Sequence, residues 1–348
     1  MREPTEVRNP DKAGPLFKVR PPQAGVLSET LRVSGEYPTW LETYFLGRHS
    51  SIREVRASII RAAAESWPVL ITGETGTGKD MVARAIHAGS RRGRKMPEVV
   101  AVGGLGETAW SVLFGHRKGS FTGAVSQHEG VFKAAAGSSI LLEDIGDLPA
   151  KVQPMLLRAL EHGLFRPLGS DRECHSDVRV IATCNLPLER EVAAGRFRPD
   201  LYQRLSVLSI KVPPLRDHLE DLEIYVPHFL SKAAAAHRPV KGISKSAMDL
   251  LVAHSWPRNV RQLEHFLYRA SVEAPGIEIQ ADDVHRILER AEQAPVPSRG
   301  AAPAGGPTRE EVIRVIGETE GNKREAARRL GIAPGTLYRL MKKLKIYG

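Results

Sequence analysis

Short apolar runs alternate with amphipathic stretches through the middle of the chain. The runs at 68–72 (PVLIT), 98–102 (EVVAV), 139–143 (SILLE) and 178–183 (VRVIAT) have strand length and are rich in branched side chains. Helical periodicity fills the gaps between them, and that alternation predicts an α/β fold built on a parallel sheet. After Pro213 and Pro214 the pattern becomes helical throughout, over 220–237, 244–254, 258–273 and 281–292. A small helical second domain is expected there. Residues 294–307 (APVPSRGAAPAGGP) are rich in Pro, Gly and Ala and predict a linker. Three short helices follow, over 309–319, 323–330 and 334–344, with Asn322 as an N-cap, Gly331 as a stop and Pro334 at a first helical position. Ala326, Ala327, Leu330, Ile332, Leu337, Leu340 and Leu344 make one apolar side, which predicts a helix-turn-helix. The five prolines of residues 1–36 (Pro4, Pro10, Pro15, Pro21 and Pro22) predict a disordered lead-in. The expected domains are therefore 1–36, 37–215, 216–293, 294–307 and 308–348.

Composition supports this division. A chain of 348 residues with 42% hydrophobic and 26% charged residues has room for two or three cores and matches ordinary globular usage. No apolar run reaches the roughly 18 residues that would cross a bilayer, and the first residues have no apolar leader core. Cys174 and Cys184 are the only cysteines and lie outside any zinc-ligand spacing. A reducing cytoplasm is the expected location. The net charge of +10 is concentrated at the end of the chain, where residues 321–348 carry eight basic residues against Glu325 alone. On a helix-turn-helix, such charge predicts binding to double-stranded DNA.

The chemistry begins at Gly73-Glu74-Thr75-Gly76-Thr77-Gly78-Lys79, a GxxxxGK sequence. It follows an apolar strand and opens a helix bearing Met81, Val82, Ala85 and Ile86 on one face, the context in which backbone N–H groups and a helix N-terminus point at phosphates. Asp80 takes the place where a Ser or Thr ordinarily meets Mg²⁺. The strand at 139–143 then ends in Glu143-Asp144. Paired carboxylates beside a phosphate loop suit phosphoryl transfer, one serving the metal ion and its waters, the other orienting the attacking water.

From Phe45 to the end, the chain resembles the sigma-54-dependent transcriptional activators, the NtrC-like branch of the AAA+ ATPases. The matching stretches are Leu46-Gly47-Arg48, GETGTGKD at 73–80, LFGHRKGSFTGA at 113–124, ILLEDIGDLP at 140–149, FRPDLYQRL at 197–205, VPPLRDHLEDL at 212–222 and WPRNVRQLE at 256–264. The resemblance implies an AAA+ parallel sheet with a helical lid and a Fis-type DNA-binding module. It implies ATP and Mg²⁺ as cofactors, the metal lying at Glu143 and Asp80, and sigma-54 RNA polymerase, upstream DNA and further copies of the chain, from dimer to hexameric ring, as partners. It assigns Gly119-Ser120-Phe121-Thr122-Gly123-Ala124 to the loop that touches the sigma factor. Arg198 and Arg204 match fingers entering a neighbouring subunit's site, Asn185 a polar sensor, and Arg261 a lid arginine sensing the γ-phosphate. In the DNA-binding module, Thr336, Arg339, Lys342 and Lys343 face outward, toward base edges and phosphates. No receiver domain is expected within these residues.

Two departures from the family pattern stand out. The family's acid pair runs Asp then Glu, whereas here Glu143 precedes Asp144, so one carboxylate reaches a methylene farther and the other a methylene less far. Val102-Gly103-Gly104-Leu105 stands where the family has VNCAAL, so no Asn is present there to hold the catalytic acid at rest. The alternative to an ATP-driven activator is a DNA-binding regulator whose AAA+ domain binds nucleotide as a scaffold and hydrolyses it weakly or not at all.

Overall fold

The computed structural model describes Leu41, residues 45–121, 123–234, 242–293, 309–319 and 323–330, Leu337 and Met341. Five strands form a parallel sheet: β1 (Val69–Thr72), β2 (Glu98–Ala101), β3 (Ser139–Glu143), β4 (Arg179–Cys184) and β5 (Leu208–Lys211), in the order β2-β3-β4-β1-β5. The first four agree with the expected runs to within a residue at each end. β5 was not expected. It lies at the edge and buries only Ile210 fully, so its sequence carries little hydrophobic signal.

Alternation along each strand divides the sheet's side chains between two cores. Val69, Ile71, Leu141, Ile181 and Ile210 pack with Ile52, Val55 and Ile59 of α1 (Ser50–Ala64) and Val82 and Ile86 of α2 (Lys79–Ala88). Leu70, Ile140, Leu142, Val180 and Ala182 meet Phe114 of α3 (Ala109–Phe114), Phe132 of α4 (Val131–Ala134), Leu156 of α5 (Gln153–His162), Leu188 of α6 (Leu188–Ala193) and Leu201 and Leu205 of α7 (Pro199–Leu205). Because successive side chains point to opposite faces, the central strands β1, β3 and β4 feed both layers, whereas the edge strands β2 and β5 each feed one, through Val100 and Ile210.

The lid contains α8 (Leu222–Ala234), α9 (Lys245–Ala253), α10 (Asn259–Glu273) and α11 (Ala281–Gln293), around a core of Trp256, Phe229, Leu263, Phe266 and Ile279. It is not all-helical, as the periodicity suggested: Gly242–Ile243 and Glu278–Ile279 pair in parallel. Two-residue strands are too short to leave a period. Residues 219–221, expected in part as α-helix, form a 3₁₀ turn instead.

Contacts divide the chain into two units, meeting between Leu288 and Glu289. In the second, α12 (Arg309–Glu318) and α13 (Lys323–Arg329) bury Val312, Val315, Ala326 and Ala327 with Leu337 and Met341. The expected caps Asn322, Gly331 and Pro334, the lead-in, the linker, the outward-facing Thr336, Arg339, Lys342 and Lys343, and Thr122 of the partner loop lie outside the described residues. Among the described residues, no helix is long and apolar enough to cross a membrane.

Candidate functional site

β1 runs directly into the glycine loop, and α2 starts at Lys79. Gly73, Gly76 and Gly78 all have φ in the left-handed half of the map, at 155°, 84° and 91°. Gly76 is the most constrained, because a Cβ there would overlap the carbonyl oxygen of Arg258. A side chain at Gly76 is thus excluded both by backbone conformation and by the lid pressed against the loop.

Lys79 is 7% exposed. Its Nζ donates to the Glu74 carbonyl oxygen at 2.9 Å and to Asn185 Oδ1, while Asn185 Nδ2 donates to Asp144 Oδ1. The loop lysine, the residue after β4 and the second acid after β3 therefore form one hydrogen-bonded row. Burial lowers the proton affinity of Lys79, and the charges of Asp144 and Asp80 oppose that shift. Glu143 is half-buried, and its carboxyl is pushed above the usual range first by burial and then by the charge of Asp80. Arg261 contributes its positive charge to both Lys79 and Glu143. Sequence-expected residues from three strands and the lid thus converge on one site.

The acids leave β3 in different backbone states. Glu143 ends the strand, whereas Asp144 has φ 56° and ψ 54° and donates its N–H to Thr183 Oγ1 at 3.4 Å. Asp tolerates the left-handed region better than Glu does. Across the loop, a Cβ on Gly103 would lie 2.6 Å from Asp147 Oδ2, so the space beside Gly103 is taken by the exposed end of Asp147.

Neither expected finger touches the phosphate loop of its own chain through a described bond. Arg198 precedes α7 and pairs with Asp200 at 2.7 and 3.1 Å, which raises the guanidinium's proton affinity. Arg204 donates to the Leu160 carbonyl at 3.3 Å and lies over the Trp67 ring at 5.9 Å, with its buried Nε lacking a hydrogen-bond acceptor.

The Gly119–Ala124 loop, expected to touch the sigma factor, lies between α3 and α4. Gly119 and Gly123 have φ 80° and 106°, and nothing stands within 4 Å of where a Cβ would lie on either. The turn is closed by Gly119 N donating to Ala124 O at 2.9 Å. Ala124 is buried, while Phe121 is 43% exposed and meets His116 edge to face, the ring centres 5.0 Å apart. Ser120 packs against Gly169, where a Cβ would collide with it.

Two residues with evident positions were not singled out from the sequence. Arg216 grips the Glu74 carboxylate through both terminal nitrogens at 2.7 and 2.9 Å, and buried Asn259 donates to Glu74 Oε2 and the Thr75 carbonyl. Both lie inside quoted motifs, VPPLRDHLEDL and WPRNVRQLE, which was the available signal.

The sheet order, the glycine loop and the lid seated on it define an AAA+ module, followed by a helix-turn-helix. The model of the Sigma-54 interaction domain matches residues 45–211, that of the AAA+ ATPase lid domain 216–300, and that of the bacterial regulatory protein Fis family 309–344. Transcriptional regulatory protein ZraR of Escherichia coli K12 is 39% identical over 318 residues, which cover 89% of this chain and 71% of ZraR. The formate hydrogenlyase transcriptional activator of Salmonella typhimurium is 38% identical over 86% of this chain and 44% of its own length. Crystal structures of NtrX from Brucella abortus are similar too: the ADP complex has a TM-score of 0.65 and 31% identity over 86% of this chain and 70% of NtrX, and the ATP complex a TM-score of 0.64 and 30% identity. The chain belongs to the sigma-54-dependent transcriptional activators.

Proposed function

We propose that this activator binds ATP at the Gly73–Asp80 loop and hydrolyses it in an oligomer, and that turnover drives remodelling of sigma-54 RNA polymerase from upstream DNA. The observation that carries the reading is the Lys79–Asn185–Asp144 row at the mouth of the glycine loop. It brings a phosphate-binding cation, a polar side chain and a water-orienting carboxylate to one point. NtrX has been crystallised with ATP and with ADP, which supports nucleotide as the ligand. Glu143 and Asp80 would suit a divalent cation, since the charge of Asp80 adds to the cost of ionising the half-buried Glu143 and a bound cation would relieve it. Bound Mg²⁺ would neutralise charge on the phosphoryl oxygens. Lys79 would orient the terminal phosphates, Asp144 the water, and Asn185 would hold both.

Arg204 and Arg198 act in this reading on the neighbouring subunit's nucleotide, and an arginine supplied in trans is worth orders of magnitude in rate. Gly119–Ala124 contacts the sigma factor through Phe121 and Thr122, and Thr336, Arg339, Lys342 and Lys343 meet DNA. ATP turnover per subunit should rise steeply with protein concentration, and Lys79→Ala should abolish it. Mixed Arg204→Ala and Lys79→Ala proteins should partly recover activity, because some interfaces then combine an intact loop with an intact finger. Co-assembled mixtures that never exceed either variant alone would overturn the trans assignment.

A second reading, a nucleotide-binding scaffold with little hydrolysis, is favoured by the inverted acids and by Gly103. Near-zero turnover at every protein concentration, with ATP still bound, would establish it.

A further inference from the structure

The phosphate loop and the lid are joined by more than packing. Asn259, the first residue of α10, is completely buried with φ 55°, and its N–H donates to the Trp256 carbonyl at 2.7 Å. Both amide hydrogens and the carbonyl oxygen of its side chain are engaged. Oδ1 accepts from Leu215 N at 2.8 Å, and Nδ2 donates to Glu74 Oε2 at 3.2 Å and to Thr75 O at 3.1 Å. The same Glu74 carboxylate is held by Arg216, and the N–H of Arg261 donates to Gly76 O at 3.2 Å.

These contacts have a mechanical consequence, because a peptide unit is a rigid plane. Thr75 O shares its plane with the Gly76 N–H, and Gly76 O shares its plane with the Thr77 N–H. The lid donors therefore hold the carbonyl ends of the units whose N–H ends belong to the phosphate loop. The Thr77 N–H is here turned onto Glu74 O at 3.4 Å. For that N–H to turn onto a phosphate, its plane must rotate, and Gly76 O would pull on α10.

We propose that Asn259, with the Glu74–Arg216 pair, is the clasp through which occupancy of the phosphate loop is transmitted to the helical lid. Asn259 is a positioning residue: it touches the loop, not the nucleotide. Glu74 is correspondingly a lid anchor, and Arg216 holds its carboxyl below the usual range, which keeps it charged for both partners. The proposal rests on the nucleotide reading of the site but not on hydrolysis.

Asn259→Asp keeps the shape, removes both donated bonds and sets a second carboxylate against Glu74. The full chain is titrated with ADP by calorimetry, and hydrogen exchange is followed with and without saturating ADP. In the parent protein, ADP should slow exchange in 73–79 and in 259–273. In Asn259→Asp, affinity should fall about tenfold, the scale of one lost hydrogen bond to a charged group, while at saturation 73–79 stays protected and the ADP-dependent slowing of 259–273 drops at least fivefold. Glu74→Gln combined with Asn259→Asp lets the new amide at 74 donate to the new carboxylate at 259 and should recover both readouts in part relative to Asn259→Asp, the bond to the Thr75 carbonyl and the Arg216 ion pair staying lost, a recovery that mere structural damage would not show. Should Asn259→Asp fail to fold, Arg216→Ala, at an exposed side chain, should still reduce lid protection at least threefold. Unchanged lid protection in a folded variant, or a double variant no better than Asn259→Asp, overturns the clasp. An unaltered protein that binds no ADP overturns the nucleotide reading instead.

Discussion

Exchanging the two acids, Glu143→Asp with Asp144→Glu, tests how this site turns over. One side-chain methylene spans about 1.5 Å, so in the present order each carboxylate is displaced by roughly a bond length from the reach the family pattern gives it. Displacements of about 1 Å can cost on the order of a hundredfold in rate, so the exchange should raise kcat between about 10-fold and 100-fold, or roughly 1.4 to 2.7 kcal/mol of barrier. Each single change corrects one acid only and should gain less. The structure adds a cost, because Asp144 has φ 56°, a region where Asp is better tolerated than Glu. The exchanged protein should accordingly lose about 1 kcal/mol of stability, seen as a lower midpoint in thermal or urea unfolding. Steady-state ATP turnover at saturating nucleotide, at protein concentrations where the rate per subunit has levelled off, reads the effect in kcat. A rate equal to or below the parent's, with ADP affinity intact, would show that the row through Asn185 has adapted to the shorter Asp144 and would refute the reach argument.

Other perturbations follow from single contacts. Gly76→Ala forces a Cβ onto the Arg258 carbonyl at φ 84° and should abolish ADP binding while lowering the unfolding midpoint, as seen by calorimetry and circular dichroism. His87 is buried between Ser139 Oγ and the Lys95 carbonyl, and burial lowers its pKa to about 4, below the 6.5 of an exposed imidazole. The folded state therefore binds fewer protons, so stability is full above about pH 6.5 and falls as pH drops toward 4, by up to about 3 kcal/mol from this group; His87→Gln should flatten the fall in pH-dependent melts. Phe121→Ala removes an exposed ring whose only described ring contact is His116, so it should leave nucleotide and DNA binding unchanged and block open-complex formation at a sigma-54 promoter. Truncation after Ala294 should eliminate DNA binding in gel-shift assays and spare nucleotide binding.

The order of residues along the chain was enough to place most of the local elements and the residue types of the candidate site. β1, β3 and β4 were legible because each buries apolar side chains on both faces, which leaves a continuous run; β2, an edge strand that buries only Val100, was legible from its run of branched residues, and the glycine loop because its backbone demands residues without a Cβ. β5, exposed along one edge, and the two-residue pair in the lid left no such trace. Tertiary structure alone decided the partnerships. That Asn185 bridges Lys79 and Asp144 depends on β4 lying between β3 and β1, an order that no periodicity encodes. That Glu74 anchors the lid through Arg216 and Asn259 depends on bringing together residues more than 140 positions apart. Hydrogen bonds between such distant residues are directional and pairwise, so they are fixed by where the packed cores set each backbone rather than by any pattern along the chain.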